Sequence, residues 1–371
     1  MRVRTLVIAV ALVTGLVISP SAARARPPTW SSPIWSVTLD GGPLGLAADA
    51  DGAVVTTDSG AVRAFDAKGV TQWETTVEDM SEDVSDPEPA ISHDLVLVGT
   101  TGRVVALARR DGAIRWQQPI EGPMEDMVTS VALGGSFALV GDRQGTLHAF
   151  DASSGTPVWS VAHEGQLWSA PRVDADLSIV VAVWYHPPGS VARAFDLASG
   201  APRWEQAVGL LTATPVLDRG RVFLATGNGH HNAWVAEFDV ANGASDWTVI
   251  SPASFQSDVV PAVDARDLVV ADQMGQVSAI DPVSGTPRWT RPLKRPVFST
   301  HIALLERRVA LITLSGELYV LDRVSGRVVA RGDMRAFGGL PAVAVPFGSR
   351  NQVLVGLRLT DPGRVELRRV P

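Results

Sequence analysis

The chain has 371 residues, of which 46% are hydrophobic and none is cysteine, and its formal charge is −7. It is long enough to bury a large core, and the lack of cysteine excludes disulfides, thiol chemistry and thiolate metal sites. The acidic balance argues against nucleic acid, and against an anionic membrane surface, as a partner.

The first 25 residues have the pattern of a secretory signal peptide. Arg2 and Arg4 precede an apolar run over 6–18, and residues 23–25 form a small-x-small cleavage signal. The alternative is a retained membrane anchor, but a span needs roughly 20 apolar residues. We expect no transmembrane segment in the mature chain, 26–371, which carries 29 basic and 39 acidic residues and hence a charge near −10. Without a cysteine for lipid attachment, we expect a secreted or periplasmic monomer.

One string recurs along the chain with a nearly constant period. Its clearest copies are AFDASSGTPVW at 149–159, AFDLASGAPRW at 194–204 and AIDPVSGTPRW at 279–289. The tryptophans of the copies fall at positions 73, 116, 159, 204, 247 and 289, and a degenerate copy ends in Ala330. Short β-branched runs such as 94–99 and 178–183 lie between the copies. A period of about 42 residues with four short strands per repeat predicts a β-propeller.

The ends of the chain determine the predicted number of blades. Seven repeats end at the six tryptophans and Ala330, and only three further strands follow, near 341–346, 352–359 and 364–370. The missing fourth strand is predicted at 33–39, because an N-terminal strand that completes the last blade removes an open edge. We therefore predict an all-β fold over 26–371: one eight-bladed β-propeller of four-stranded antiparallel blades, its ring closed by the N-terminal strand.

The recurring residue types have structural interpretations. The alanine leaves room where blades press together, and the aspartate ends the third strand and accepts turn amide protons. The glycine takes the positive φ of a bulged hairpin, and the tryptophan packs its ring against a neighbouring blade. Blade docking is predicted for Trp35, Trp73, Trp116, Trp159, Trp204, Trp247 and Trp289.

The A-x-D-x-x-x-G-x-x-x-W string resembles the tryptophan-docking repeat of the pyrroloquinoline-quinone (PQQ) propeller family. The resemblance covers nearly the whole mature chain and implies three roles. One branch contains quinoprotein alcohol dehydrogenases, which hold the quinone and a calcium ion in the central funnel. Another contains non-catalytic envelope propellers such as the outer-membrane assembly component, and a third contains extracytoplasmic sensor domains.

The chain departs from the dehydrogenase branch in three respects. It lacks the adjacent cysteines that cover the quinone, its inter-blade loops are short, and no set of Glu, Asn and Asp residues maps to the calcium ligands. The envelope branch is closer in length, predicted blade count and lack of inserts, although its assembly component is a lipoprotein and this chain has no lipidation cysteine. No cofactor is therefore assigned.

The repeat is most disturbed in two long turns between second and third strands, at 183–190 and 226–234. These turns share one face with the inter-blade loops, so aromatic and histidine side chains gather there beside His163. The predicted interaction face consists of Trp168, Tyr185, His186, His230, His231 and Phe255. A zinc, copper or nickel site is the alternative for its imidazoles, but no nearby Asp/Glu pair has ligand spacing.

The opposite half of this face is acidic over 77–89 and 121–127. Calcium would suit these carboxylates, but the spaced D-x-D-x-D-G pattern is absent, which favours a solvated surface that faces a basic partner.

No catalytic motif remains: the chain has no G-x-S-x-G, H-E-x-x-H or Walker sequence. We assign no catalytic, cofactor-binding or metal-binding residue. The favoured hypothesis is an exported, non-catalytic binding or scaffold protein of the cell envelope that uses one propeller face for a protein or peptide. The alternative is a PQQ-dependent quinoprotein oxidoreductase of reduced size.

Overall fold

A computed structural model describes most of the chain after residue 32. The described residues are 33–78, 80, 88–120, 128–167, 169–209, 211–212, 214–227, 233–251, 261–272, 275–293, 295, 297, 302–313, 316–333, 344–346, 352–357 and 363–369. Every regular element among them is a β-strand. The predicted signal peptide lies outside the described residues.

The first strand is β1 (Trp35–Thr38), and seven sheets follow, each built from one stretch of chain. Blade A holds β2 (Pro43–Ala48), β3 (Ala53–Thr57), β4 (Ala61–Phe65) and β5 (Thr71–Thr76). Blade B holds β6 (Ala90–Ile91), β7 (Leu95–Thr100), β8 (Arg103–Ala108) and β9 (Ile114–Pro119). Blade C holds β10 (Val128–Gly134), β11 (Phe137–Asp142), β12 (Thr146–Asp151) and β13 (Pro157–Ala162).

Blades D and E have an inner strand that is split in two. Blade D holds β14 (Gln166–Leu167), β15 (Arg172–Asp174), β16 (Ile179–His186), β17 (Gly189–Asp196) and β18 (Pro202–Val208). Blade E holds β19 (Leu211–Thr212), β20 (Val216–Asp218), β21 (Arg221–Gly227), β22 (Ala233–Asp239) and β23 (Thr248–Ser251). Both halves of each split strand pair with the same neighbour, β16 or β21, so these blades keep four positions.

Blades F and G return to four consecutive strands. Blade F holds β24 (Ala262–Val263), β25 (Leu268–Ala271), β26 (Gln276–Ile280) and β27 (Pro287–Pro292). Blade G holds β28 (Ala303–Leu304), β29 (Arg308–Ile312), β30 (Glu317–Asp322) and β31 (Val328–Asp333).

A further sheet, blade H, joins the two ends of the described chain. It holds β32 (Ala344–Pro346), β33 (Gln352–Leu357) and β34 (Arg364–Arg369), with β1 antiparallel to β34. Trp35 lies opposite Leu367, and Thr38 opposite Arg364. Strand β32 contacts β28 of blade G, and β2 of blade A contacts β32 and β33. The predicted all-β propeller of four-stranded antiparallel blades is confirmed.

The turn between the third and fourth strands is built alike in most blades. In blade C, Asp151 accepts hydrogen bonds from the backbone N–H groups of Ser153 and Ser154 at 3.1 and 2.9 Å. Gly155 has φ +73°, in the left-handed region where a Cβ is unfavourable. The strand register shifts between Ala149 and Phe150, which marks the bulge that the sequence predicts.

The turn aspartates should make the stability of the fold depend on pH in the acidic range. Hydrogen bonds from the Ser153 and Ser154 hydroxyls lower the pKa of Asp151 from 3.8 to about 2, and a hydrogen bond from the Ser284 backbone N–H contributes most to lowering that of Asp281 to about 2. A depressed pKa stabilises the fold above the unfolded-state pKa, and this stabilisation is lost as the pH falls through about 2. We expect the melting temperature to drop between pH 4 and 2.

The matched control is Asp281→Asn, which keeps an oxygen acceptor but does not ionise. Its melting temperature should lie below that of the parent at pH 6, and the gap should narrow towards pH 2. Thermal unfolding followed by circular dichroism measures both. A gap that stays constant from pH 6 to pH 2 would show that the charge of this carboxylate does not stabilise the turn.

Each outer-strand tryptophan contacts the third-to-fourth turn of the next blade. The Trp116 indole donates its Nε1–H to the carbonyl of Ala152 at 2.8 Å, and a Cβ built on Gly155 would lie only 2.6 Å from the ring. We call this pair of contacts a docking contact. The same arrangement joins Trp35 to Ala67 and Gly69, Trp73 to Arg109 and Gly112, Trp159 to Leu197 and Gly200, Trp204 to Val240 and Gly243, Trp247 to Pro282 and Gly285, and Trp289 to Arg323 and Gly326.

Blade G has no tryptophan for a docking contact, and the topology gives the reason. Its outer strand carries Ala330, which is buried in a cluster with Val355 of blade H. Strands β34 and β1 of blade H are far apart in sequence, so no hairpin turn joins them and none is available to receive a ring. The degenerate copy at 320–330 therefore sits at the interface where the receiving turn is missing.

Candidate interaction face

The second-to-third turns and the inter-blade loops lie on one face, which we call the loop face. The residue after an outer strand donates its backbone N–H to the glycine carbonyl of the turn in its own blade. These hydrogen bonds run from Val77 to Gly60, from Ile120 to Gly102, from His163 to Gly145 and from Leu293 to Gly275, at 2.7–3.0 Å. Loops and turns distant in sequence are therefore held side by side.

Tyr185 and His186 lie at the end of β16, at the tip of the hairpin of blade D. They pair with Ser190 and Gly189 of β17. Tyr185 is half-buried and His186 is exposed. Gly165, in the loop from blade C, approaches so closely that a Cβ there would lie 2.5 Å from the Tyr185 carbonyl oxygen. The hairpin and this loop thus form one packed surface.

Trp184 supports this hairpin from beneath and was not singled out by the sequence reasoning. It is fully buried and donates its Nε1–H to the carbonyl of Gly145 at 2.8 Å. The His163 ring meets it edge-on at 5.2 Å between centroids, and the Arg193 guanidinium lies 5.3 Å from its ring centroid. The available signal was that successive side chains of a strand point to opposite faces of the sheet. Trp184 therefore lies on the face of β16 opposite to that of Tyr185.

His163 belongs to the support rather than to the exposed rim. Burial lowers its pKa most, the charge of Arg193 lowers it further, and Glu205 opposes both effects. Because an imidazole with a lowered pKa is neutral at pH 7, His163 packs between Trp184 and Phe195 as an uncharged ring.

The other residues of the predicted interaction face, Trp168, His230, His231 and Phe255, lie outside the described residues. Most of the acidic loops, 79, 81–87 and 121–127, lie outside them as well. Of the acidic half, Glu78 and Glu88 are described. The Glu78 side chain is 82% exposed at 4.0 Å from Arg103, and Glu88 is half-buried. The structure therefore places Tyr185 and His186 together and leaves the remaining members as predictions.

The described residues contain neither a group of side chains that could hold a metal ion nor a helix that could span a membrane. No group of three or more His, Cys, Asp or Glu side chains within the described ranges is placed to hold a metal ion. On the loop face, the His148 ring and the Asp142 carboxylate lie 2.9 Å apart. This pair provides two potential metal ligands. In the part of the chain that the structure covers, no helix could cross a membrane.

Inner strands of blades D to G line a concave site of about 470 Å³. Its charged lining residues are Arg172 and Asp264, and the rest of the lining is apolar. Asp264 is engaged in an ion pair with Arg323 of blade G. This carboxylate thus joins two blades.

The family model and the similar proteins found by comparison mostly carry one description. The family model described as "Outer membrane protein assembly factor BamB" matches residues 30–131, 126–208 and 190–345. The protein of that name from Burkholderia pseudomallei is 27% identical over 331 residues, 85% of this chain and 81% of its own. The one from Bordetella pertussis is 26% identical over 281 residues, 69% of each chain. A serine/threonine-protein kinase, AfsK of Streptomyces griseus, is 27% identical over 170 residues, 41% of this chain and 20% of its own.

Solved structures share the fold at low sequence identity. BamB from Moraxella catarrhalis superposes with a TM-score of 0.70 at 22% identity and covers 91% of this chain and 97% of its own. Quinohemoprotein alcohol dehydrogenase from Comamonas testosteroni superposes with a TM-score of 0.70 at 13% identity, over 92% and 77%. Both likenesses show the propeller alone, whereas the family model covers more than half of the sequence. The chain is therefore a PQQ-like propeller that belongs to the family of the outer membrane protein assembly factor BamB.

Proposed function

We propose that this protein is an exported, non-catalytic binding protein of the cell envelope that takes part in outer-membrane protein assembly. The observation that carries the proposal is the family match from residue 30 to residue 345, together with relatives of that description over as much as 85% of the chain. The predicted signal peptide at 1–25 supports export, and the lack of cysteine favours a periplasmic form without a lipid anchor.

The proposed architecture is a closed ring of eight blades in one domain over 26–371. Three contacts support it: β1 pairs with β34, β32 lies against β28, and β2 lies against β32 and β33. A closed ring leaves only short, protected sheet edges and holds the loops of different blades at fixed positions. Such a rigid surface suits a scaffold, because little ordering entropy is lost when a partner binds.

The proposed binding surface is the loop face around blades D and E. Tyr185 and His186 project from a hairpin that the buried Trp184 and the Gly165 loop hold in place. Large amphipathic rings on rigid supports anchor protein interfaces, because they bury much area at low entropy cost. By sequence order, Trp168, His230, His231 and Phe255 extend the surface.

A photo-crosslinking amino acid at position 185 or 186 tests this surface. In cells, we expect it to crosslink the protein to a component of the outer-membrane assembly machinery, identified by mass spectrometry. The matched control sites are Val283 and Val324, which are 62% and 69% exposed in turns on the opposite face and should give no such adduct. Tyr185→Ala should raise the dissociation constant about 30-fold without lowering the melting temperature.

Three other results would contradict the proposed face, the assembly role or the non-catalytic role. Adducts at positions 283 and 324 but not at 185 or 186 would move the partner to the opposite face. Adducts only with proteins outside outer-membrane assembly would contradict the assembly role. A redox-active absorption band on adding PQQ and calcium to the purified protein would instead favour a quinone-dependent oxidoreductase.

A further inference from the structure

At successive blade interfaces, the residue after the turn aspartate makes the same two backbone hydrogen bonds. Its backbone N–H donates to the first-to-second turn of its own blade, and its carbonyl accepts the indole N–H of the preceding blade. The N–H bonds run from Ala152 to Ser136, from Leu197 to Ser178, from Val240 to Gly220 and from Arg323 to Arg307, at 2.8–3.0 Å. Since the backbone is fixed on both sides, the side chain points into the wedge between two neighbouring turns.

We call this residue the plug, because its side chain fills that wedge at most interfaces. Leu197 fills the wedge between blades C and D, Val240 fills the next one, and Pro282 the one after; all three are buried. Arg109 and Arg323 fill their wedges with a guanidinium instead. Each is bound by a carboxylate of the preceding blade: Asp49 binds Arg109 at 2.7 Å, and Asp267 binds Arg323 at 2.5 Å.

The wedge between blades B and C has no such filling. Its plug is Ala152, and a cavity of about 870 Å³ opens there. Ile91, Leu133 and Ala108 contribute to its apolar walls. The cavity lies on the face that carries the first-to-second and third-to-fourth turns, opposite the loop face.

A second departure from the repeat borders the same cavity. In blades D and F, the arginine before the docking tryptophan pairs with the turn aspartate of its own blade: Arg203 with Asp196 and Arg288 with Asp281, each at 2.6 Å. In blade B, the corresponding arginine is Arg115, but the aspartate position holds Ala108. Arg115 is exposed, lines the cavity and makes no ion pair at contact distance within the described part of the chain. Its charge does contribute to lowering the pKa of Asp111, after the Ala113 backbone N–H and Arg110.

The neighbouring charges are already engaged. Arg109 binds Asp49, Arg110 binds Asp111 at 3.1 Å, and His93 binds Asp94 at 2.9 Å. The Asp151 carboxylate, which also lines the cavity, accepts hydrogen bonds from the backbone N–H groups and hydroxyls of its own turn. The cavity therefore lacks an aliphatic plug of the kind that Leu197 and Val240 provide. It also lacks a carboxylate in direct contact with Arg115, of the kind that blades D and F provide for their arginines.

We propose that the cavity between blades B and C binds a segment of a partner protein that inserts an aliphatic side chain over Ala152 and sets a neighbouring acidic side chain against Arg115. An arginine guest is disfavoured, because Ser92 stands where Asp49 and Asp264 bind the internal arginine plugs. This site lies on the opposite face from the proposed assembly partner, so the two proposals stand or fall separately.

The direct test uses short blocked peptides and alanine-methyl NMR of the full mature chain. The probe is acetyl-Gly-Leu-Asp-Gly-amide, and the controls replace Asp by Ser or replace Leu by Ser. We expect the probe to shift the methyl resonances of Ala108 and Ala152 with a millimolar dissociation constant. Replacing Asp by Ser should weaken binding about fivefold, and replacing Leu by Ser should weaken it about tenfold.

Two variants restore what the other blades already have. Ala152→Leu copies Leu197, so it should fill the cavity, raise the melting temperature and abolish binding of every probe. Ala108→Asp copies Asp196, so it should capture Arg115 internally and reduce binding of the acidic probe to that of the Ser control. Because the second variant leaves the wedge open, it keeps the test valid even if Ala152→Leu disturbs the fold.

Three results would overturn the proposal. The first is no shift of the two methyl groups at 10 mM peptide, a concentration about tenfold above the expected constant. The second is equal affinity for the acidic and the serine probe in the parent protein. The third is unchanged binding in both variants.

Discussion

A mature chain that starts at Leu39 is expected to lose its stable monomeric form. It lacks β1, so β34 becomes an open edge of blade H, and an open edge recruits other chains. It also loses Trp35, whose ring rests on Gly69 and lies 6.3 Å from that of Phe65 in blade A. Loss of one strand and one docking contact should lower the melting temperature by about 10 °C, at roughly 2–4 °C per kcal/mol, and should produce oligomers in size-exclusion chromatography.

A chain that starts at residue 33 is the control, and it should melt like the full mature protein. A synthetic peptide of residues 33–42 should bind the shortened chain and restore the monomer, whereas the same peptide with Trp35→Ala should restore it poorly. If the shortened chain remained monomeric with an unchanged melting temperature, β1 would contribute nothing to the stability of the ring.

Trp116→Ala is expected to be a costly substitution, because Trp116 and Trp73 are the most buried of the docking tryptophans. The side chain is 8% exposed, its ring lies 6.2 Å from that of Phe150 at a tilt of 36°, and its indole N–H donates a hydrogen bond to the Ala152 carbonyl. Removing a buried aromatic ring costs about 3–5 kcal/mol of unfolding free energy. Urea unfolding of the purified protein should show this as a lower midpoint.

Two further variants separate the parts of the docking contact. Trp116→Phe keeps an aromatic ring but loses the indole N–H, so it should cost less than Trp116→Ala. Gly155→Ala puts a Cβ 2.6 Å from the Trp116 ring at φ +73°, so it should be destabilising, and less so when Trp116 is already alanine. If the two substitutions are additive, or if Trp116→Ala costs below about 1 kcal/mol, the ring does not hold these blades together.

The blades are predictable from the sequence because each repeat contains the residues that end its strands and form its turns. In blade C, the recurring turn aspartate and glycine fix where the hairpin from β12 to β13 reverses. The close contact between that glycine and the preceding tryptophan was not predicted: spacing within one repeat does not reveal a contact with the next. The plug was missed for a related reason, because alanine, leucine, valine, proline and arginine share no sequence signal.

The candidate site was predictable only in outline. The long hairpin of blade D places Tyr185 and His186 at its tip on the loop face, as the disturbed repeat suggests. The buried Trp184 and the uncharged His163 beneath them depend on packing between blades C and D, which composition and spacing cannot report. The remaining members of the interaction face stay predictions.

The docking contacts also bear on how the chain reaches its native topology. Each links a tryptophan to a carbonyl only 32–38 positions later, so blades A to G can assemble by local steps, as in a linear array of repeats. Pairing of Trp35 with Leu367 is the long-range step, and contacts of high sequence separation form slowly. During that delay β1 of one molecule can pair with β34 of another. Domain-swapped dimers formed on refolding at high protein concentration are the expected by-product of this architecture.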